Sequence, residues 1–235
     1  MSGWKAKRFW TEARAEDCEG GFTVRLDGRG VKTPAKVPLV VPTRAMAQAI
    51  AAEWDAQVGE VKPETMPVTR AANSAIDKIV PQRVEVVEIV AAYGASDLLC
   101  YRATGPEALI ARQAEGWDGV LDWVAGAMGA RLVVTQGVIP VAQPAEAVAA
   151  LRAQVAGLTA FQLAAFHDLV AISGSLVLAL AVIHGRLSPD AAWRLSRIDE
   201  SWQVEQWGED EEAAAMEAGK RVAFGEASRF FSLCG

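Results

Sequence analysis

A run of fifteen residues, Leu169–Ile183, carries no charge and is mostly aliphatic (LVAISGSLVLALAVI). Such a segment must leave water, either in a protein core or in a membrane. A membrane-spanning helix needs about 20 consecutive apolar residues, whereas this run is shorter and contains Ser173, Gly174 and Ser175. We therefore interpret it as a buried core helix, around which the rest of a helical domain must pack.

The composition is that of an ordinary globular protein. The chain has 235 residues, of which 51% are hydrophobic and 22% are charged, so it can bury a sizeable core. Its formal net charge is −6, which argues against a nucleic-acid binder because contacts to phosphates need clustered lysine and arginine. An acidic protein of this kind suits a basic or apolar protein partner. We predict no nucleic-acid partner and no membrane insertion.

Residue types that bind metals or form disulfides are few and scattered. The three cysteines (Cys18, Cys100 and Cys234) lie far apart and form no CxxC pair. Neither His167 nor His184 has a second histidine or cysteine at the spacing of a metal site. The cysteines therefore indicate a reducing compartment. The sequence predicts no metal site and no cofactor.

The N-terminal segment carries no visible targeting signal. It begins with basic residues (MSGWKAKRFW) but has no apolar stretch, and Glu12, Glu16 and Asp17 follow. Secretory signals need an apolar region, and transit peptides are poor in acids. We therefore expect neither a secretory signal nor a transit peptide in this segment.

The first part of the chain has the pattern of β-strands. Apolar side chains alternate with polar ones over Phe22–Leu26, and Asp27 and Gly28 then form a dipeptide that is typical of a hairpin turn. Thr43 precedes a helical pattern and is predicted to cap that helix. Strand-type patterns end by about Pro67, within an irregular connector (residues 61–69) that contains two prolines.

From about Arg70 the pattern is almost entirely helical. Apolar residues recur at steps of three and four, and a long helix is expected from Ser188 to a stop at Gly208. Strands followed by helices indicate an α+β protein. We predict a small N-terminal β-rich domain of strands plus one helix, residues 1–66, and a larger all-helical domain, residues 67–235.

No catalytic motif is present, and single residues leave alternatives open. The chain has no GxGxxG, phosphate-binding loop or Gly-x-Ser-x-Gly elbow, so no catalytic residue is predicted.

Asp97 either pairs with Arg102 and fixes a turn, or it forms part of a binding groove. Trp54, between Glu53 and Asp55, either packs its helix onto the sheet or anchors a partner.

The segment SWQVEQWGEDEE, residues 201–212, raises a sharper question. From Asp199 to its end there are seven acids and no lysine or arginine. Glu200, Gln203 and Trp207 lie three and four residues apart and share one helix face. Acids near the C-terminal end of a helix oppose its macrodipole, so local stability does not explain them. The alternatives are a solvated acidic face and a docking surface for a basic partner.

Six stretches of the sequence, taken in order, resemble one known family. They are LDGRGVKTP (26–34), LVVPTRAMAQAIAAEWDAQ (39–57), MPVTRAANSAID (66–77), SDLLCYRA (96–103), GSLVLALAV (174–182) and ESWQVEQWGEDEE (200–212). Together they span nearly the whole chain. They are similar to the assembly chaperones that bind the alpha subunit of the catalytic head of F-type ATP synthase.

The resemblance implies a function and a set of site residues. Family members have a β-rich N-terminal domain and a helical C-terminal domain, and they are not enzymes. They hold the free alpha subunit, mask its subunit interface and prevent its aggregation until the beta subunit replaces them. A critical glutamate is associated with the C-terminal region, for which Glu200 and Glu211 are the candidates. The predicted partner-binding residues are Glu200, Gln203, Trp207, Gly208, Glu211, Asp97 and Trp54.

The family occurs in mitochondria and in their bacterial relatives. A chain without a visible transit peptide is therefore expected to be a bacterial, cytoplasmic member, and we expect a monomer. Two alternatives stay open. One is a small-molecule-binding enzyme with a cleft between the two domains, which would use Asp97, His167 and an acid pair. The other is a scaffold protein whose acidic helix binds another basic partner.

Overall fold

The computed structural model describes residues 7–235. The prediction about a targeting signal rests partly on residues 1–6, which lie outside the described residues. The chain divides into two compact units. The first unit holds the residues up to Arg83 together with 159–165 and 229–235, and the second unit holds 84–158 and 166–228. The predicted domain boundary between residues 66 and 67 stays a prediction.

The described residues form five short strands and ten α-helices. The strands are β1 (Ala13–Cys18), β2 (Gly21–Leu26), β3 (Arg29–Gly30), β4 (Tyr101–Arg102) and β5 (Thr135–Gln136). The helices are α1 (Arg44–Asp55), α2 (Pro67–Ser74), α3 (Arg83–Ala91), α4 (Glu107–Met128), α5 (Ala145–Ala156), α6 (Ala160–Ser173), α7 (Leu176–Ile183), α8 (Pro189–Ser196), α9 (Ile198–Trp207) and α10 (Glu211–Ser232). The α+β fold class is confirmed, because a small sheet with one helix precedes a largely helical region.

The first unit is built on the predicted hairpin. Strands β1 and β2 pair antiparallel, with Ala13 opposite Leu26, and β3 pairs with β2 on its other side. Asp27 and Gly28 both take positive φ, 46° and 81°, as a two-residue hairpin turn that matches the twist of the strands requires. The carboxylate of Asp27 accepts hydrogen bonds from the backbone of Thr11, which lowers the pKa of Asp27.

Helix α1 packs against this sheet in the first unit. Thr43 caps the helix as predicted, since its Oγ1 accepts a hydrogen bond from the backbone N–H of Met46 at 3.1 Å. The same hydroxyl donates to the carbonyl oxygen of Leu233 at 2.5 Å. Ile50 on α1 and Val24 on β2 are fully buried. Residues 229–235 therefore belong to the same unit as the hairpin and α1, and Phe230 among them is buried.

The core of the second unit contains the uncharged run with which we began. Its burial is confirmed, because every side chain from Leu176 to Ala181 is fully buried. The single continuous helix is wrong. Gly174 takes a φ of 72°, and the Oγ of Ser175 accepts a hydrogen bond from the backbone N–H of Leu178 at 2.9 Å, so α6 ends and α7 begins there. Among the described residues, no helix is long and apolar enough to cross a membrane.

The C-terminal region differs from the prediction in two ways. The expected long helix is divided, and a further helix follows Gly208. The long helix expected from Ser188 is interrupted at Arg197, which gives α8 and α9. Gly208 ends α9 as predicted, with a φ of 90°. Helix α10 follows, although Gly219 and Gly225 weaken its helical pattern in the sequence.

Candidate functional site

Five of the seven predicted site residues lie between the first turn of α9 and the first turn of α10. We call residues 199–212 the acidic turn. Glu200 and Gln203 are exposed on α9, and Trp207 ends that helix with 79% of its surface exposed. Gly208 allows the chain to turn, and Glu211 is exposed in the first turn of α10. An exposed tryptophan among acids therefore forms the centre of this surface.

Four of the seven acids in the acidic turn have partners within the second unit. Glu200 forms a salt bridge with Arg197 at 2.8 Å. Asp199 accepts a hydrogen bond from the Nε2 of Gln113 at 2.6 Å. Asp210 accepts one from the backbone N–H of Ala213 at 2.8 Å and so caps α10. The fourth acid, which lies on the exposed side of α9, is held by a longer-range contact.

This fourth acid is Glu205, which is held by Arg112 of α4. The guanidinium donates to both carboxylate oxygens, at 2.7 and 2.9 Å, and lies over the ring of Trp202 at 4.9 Å. The hydrogen bonds lower the pKa of Glu205 and raise that of Arg112. Because Arg112 lies 93 residues before Glu205, no local sequence pattern indicates this contact.

The other three acids have no hydrogen bond or salt bridge to any residue that the structure describes. They are Glu209, Glu211 and Glu212. All three follow the stop at Gly208 and lie at the N-terminal end of α10, where negative charge is favourable to the helix macrodipole. The prediction that local stability does not explain the acids is therefore wrong in part. The helix accommodates these charges and leaves them exposed.

Asp97 has surroundings opposite to those of the acidic turn. It is completely buried in the second unit. Its Oδ1 accepts hydrogen bonds from the backbone N–H of Leu99 at 3.0 Å and from the hydroxyl of Ser175 at 2.8 Å. Its Oδ2 accepts one from the backbone N–H of Val177 at 3.0 Å. Burial raises the pKa of Asp97 to about 6, while these hydrogen bonds act in the opposite direction.

The predicted pairing of Asp97 with Arg102 is wrong. Arg102 forms a salt bridge with Asp118 at 2.8 Å and donates its Nε–H to the carbonyl oxygen of Leu99. Asp97 instead connects the start of α7 to the turn before β4. Its assignment as a partner-binding residue stays a prediction, and its burial does not support it.

Trp54 lies in the first unit and packs against another tryptophan. Its ring meets that of Trp10 edge to face, with centroids 5.2 Å apart, and Trp10 is buried. Trp54 itself is half-buried. This contact agrees with the packing alternative, and the role of Trp54 as a partner anchor stays a prediction.

The residues of the enzyme alternative are not joined in the second unit. His167 contacts the neighbouring Asp168 at 3.0 Å, and this hydrogen bond raises the pKa of His167. No hydrogen bond links it to Asp97, which is enclosed by backbone and serine donors. Among the described residues, no group of three or more His, Cys, Asp or Glu could hold a metal ion.

Comparison with known protein families identifies the chain. The family described as ATP12 chaperone protein matches residues 7–125, which is half of the sequence. The chain belongs to the ATP12 chaperone family. These chaperones are non-enzymatic factors involved in ATP synthase assembly.

Proteins of known structure are similar to this ATP12 chaperone in both sequence and fold. Atp12 from Paracoccus denitrificans is 50% identical and has a TM-score of 0.96 over 99% of this chain and 100% of that one. A mutant of the Paracoccus protein, with lysine in place of an aspartate, has the same identity and a TM-score of 0.97 over all of both chains. A protein from Agrobacterium tumefaciens is 44% identical, with a TM-score of 0.94 over 97% of this chain and 86% of that one.

A more distant relative comes from a eukaryote. The mitochondrial protein atp12 of Schizosaccharomyces pombe is 26% identical over 222 residues, which are 88% of this chain and 75% of the relative. The ATP12 chaperones that resemble this chain are therefore found in bacteria and in mitochondria.

Proposed function

We propose that this ATP12 chaperone binds the unassembled alpha subunit of F-type ATP synthase with its acidic turn. In doing so it masks the surface that the beta subunit later covers. The observation that carries the proposal is Trp207, which is 79% exposed and is followed by Glu209, Glu211 and Glu212. An exposed aromatic residue surrounded by charge is the usual composition of an interface anchor.

A mixed apolar and acidic surface suits a chaperone that must release its client. An unassembled subunit exposes an apolar patch that would otherwise aggregate. A fully apolar contact of large area would be as durable as a permanent interface. One tryptophan with a few charges gives a weaker contact, in which the acids select a basic partner and repel acidic ones. The beta subunit can then displace the chaperone.

The two candidate glutamates have different surroundings. Glu200 already faces Arg197, whose side chain is mostly buried and lies over the ring of Trp193. Glu211 has no such partner among the described residues and lies in the first turn of α10. A client arginine or lysine would reach Glu211 without breaking an existing ion pair. We therefore expect Glu211 to contact the client more directly than Glu200.

Light scattering of isolated alpha subunit tests the proposal. We expect the wild-type protein to suppress aggregation at near-equimolar ratio, and Glu211→Lys and Trp207→Ala to suppress it poorly. The matched control is Glu85→Lys, because Glu85 is also an exposed acid in the first turn of a helix, α3. If Glu85→Lys loses as much protection as Glu211→Lys, net charge rather than the acidic turn decides binding.

The scaffold alternative is separated by identifying the bound protein. Purified chaperone, added to an extract of the source cells, should retain alpha subunit, and Glu211→Lys should retain much less. Absence of alpha subunit among the bound proteins would contradict the proposal. We further propose that the free chaperone is a cytoplasmic monomer, which size-exclusion chromatography with light scattering and cell fractionation would test.

A further inference from the structure

The second unit contains an exposed segment that the acidic turn does not involve. We call residues 133–143 the apolar loop. Val138 and Ile139 at its tip are 91% and 76% exposed, and Val133 and Val134 are also exposed. The sequence from Leu132 to Ala145 contains no charged residue. Exposed β-branched side chains without nearby charge favour aggregation. We therefore expect a partner to cover them.

The apolar loop is held in place at its base. The side-chain amide of Gln143 accepts a hydrogen bond from the backbone N–H of Val133 at 2.7 Å and donates one to its carbonyl oxygen at 2.9 Å. Strand β5 within the loop pairs in parallel with β4, and the N–H of Gly137 donates to the carbonyl oxygen of Arg102 at 2.8 Å. A loop fixed in this way loses little conformational entropy when it binds.

Side chains rather than backbone groups are available for contact at the base of the apolar loop. Gln143 already occupies both the N–H and the carbonyl of Val133, so another strand cannot pair with the backbone there. The side chains of Val138 and Ile139, in contrast, are largely exposed. The loop therefore suits an apolar surface with side-chain pockets.

A lipid bilayer is a poorer partner than a protein for this loop. Segments that bind membrane surfaces carry tryptophan, phenylalanine, lysine or arginine, and residues 132–145 contain none of these. The net charge of −6 also opposes approach to an anionic membrane. A protein surface with exposed apolar side chains has neither disadvantage.

The base of the apolar loop is connected to the acidic turn by hydrogen bonds. The backbone N–H of Ala103, directly after β4, donates to the Oε1 of Gln113 at 2.8 Å. The Nε2 of Gln113 donates in turn to the Oδ1 of Asp199 at 2.6 Å, and Gln113 is buried. One glutamine of α4 thus fixes the strand beside the loop and the first turn of α9 in a single arrangement.

We propose that the apolar loop is a second contact surface for the unassembled alpha subunit. Val138 and Ile139 pack against an apolar part of the client, while the acidic turn engages its basic groups. The inference rests on the proposed function, because it assumes the same client. It adds that the client presents an apolar surface to the chaperone as well as a basic one.

Paired valine substitutions test the apolar loop. Val138→Asp introduces a charge at its tip, and Val58→Asp introduces the same charge at a valine of the first unit that is 86% exposed. We expect about tenfold more Val138→Asp than wild type to be needed for half-maximal suppression of alpha-subunit aggregation, because a valine side chain is no longer buried. Val58→Asp should need less than twofold more. Val138→Ser, which adds no charge, should also weaken protection.

The outcomes separate this inference from the proposed function. If Glu211→Lys loses protection while Val138→Asp protects as well as wild type, the loop proposal fails and the acidic turn stands. If the wild type gives no protection, both fail. If wild type sediments with phosphatidylcholine–phosphatidylserine vesicles and Val138→Asp does not, the loop binds lipid and the proposal is overturned. Each variant must have the same melting temperature as the wild type. If Val138→Asp unfolds, Val138→Ser is used in its place.

Discussion

Two carboxylates in the second unit, those of Asp97 and Glu211, have opposite surroundings. Asp97 is completely buried and accepts hydrogen bonds from Leu99, Ser175 and Val177. Glu211 in the acidic turn is exposed and has no partner among the described residues. Both were candidates for partner binding on sequence grounds. The difference shows that the donors around a carboxylate, and not its place in a motif, separate a structural acid from one that is available to a partner.

The comparison also explains how the protein tolerates so much negative charge. Three exposed acids at the start of α10 lie where the helix dipole favours them, and Arg112 neutralises Glu205 at the surface of α9. These charges need no buried partner. The carboxylate of Asp97 does need buried partners, because an unpaired charge in the protein interior is very unfavourable.

The largest effect should come from Asp97→Ala. The substitution leaves the backbone N–H of Leu99, the backbone N–H of Val177 and the hydroxyl of Ser175 without their acceptor inside the core. Each unsatisfied buried group costs about 1–3 kcal/mol, so the free energy of unfolding should fall by roughly 3 kcal/mol or more in urea titrations. A loss below about 1 kcal/mol would contradict the structural role of Asp97.

The second effect is a pH dependence that belongs to Asp97. Burial raises the pKa of Asp97 from 3.8 to about 6 in the folded protein. The carboxyl group of Asp97 therefore binds its proton more tightly in the folded state than in the unfolded state. The stability that this tighter binding contributes is fully present below pH 3.8 and is lost as the pH rises through 6. Relative to Asp97→Asn, the wild type should lose up to about 3 kcal/mol between pH 4 and pH 7, at 1.36 kcal/mol per pKa unit. Urea titrations across this range should show it, and a constant difference would be the contrary result.

A smaller effect is expected for Ser175→Ala. Ser175 caps α7 through Leu178 and also donates to Asp97. Loss of an N-cap typically costs about 1 kcal/mol, which a urea titration would resolve. Because the two residues share a hydrogen bond, Asp97→Ala and Ser175→Ala together should cost less than the sum of the single changes. Simple additivity would mean that the two do not act together.

The smallest effect on stability should follow Trp207→Ala. Most of this side chain is exposed, and substitutions at such positions usually change stability by less than about 0.5 kcal/mol. The melting temperature should therefore stay within a few degrees of wild type, whereas suppression of alpha-subunit aggregation should fall. A large drop in melting temperature would show that Trp207 supports the fold and would remove the contrast with Asp97.

Features that depend on neighbouring residues could be predicted from the sequence. The Asp27–Gly28 turn, the cap at Thr43 and the stop at Gly208 each follow from the conformational preference of one or two residues. The burial of α7 follows from a long uncharged run. The fold class followed from the order of these patterns.

Features that depend on distant residues could not be predicted in this way. The Oδ1 of Asp97 finds its donor 78 residues away at Ser175, and Arg112 reaches Glu205 across 93 residues. Neither contact leaves a periodic signal in the sequence. The acidic turn could be found as a cluster and its stop at Gly208 could be predicted, but the start of α10 at Glu211, which makes the last acids favourable, could not. The role of each acid therefore required the structure.

The hydrogen bond from Thr43 to the carbonyl of Leu233 has a consequence for biosynthesis. The hairpin and α1 leave the ribosome early, yet residues 229–235 belong to the same unit. The core of this unit cannot close until residues 229–235 have been translated. During that interval the individual helices of the second unit can form on local contacts, which form faster than distant ones. The sheet of the first unit is thus made before the second unit but completed only after the second unit has been translated.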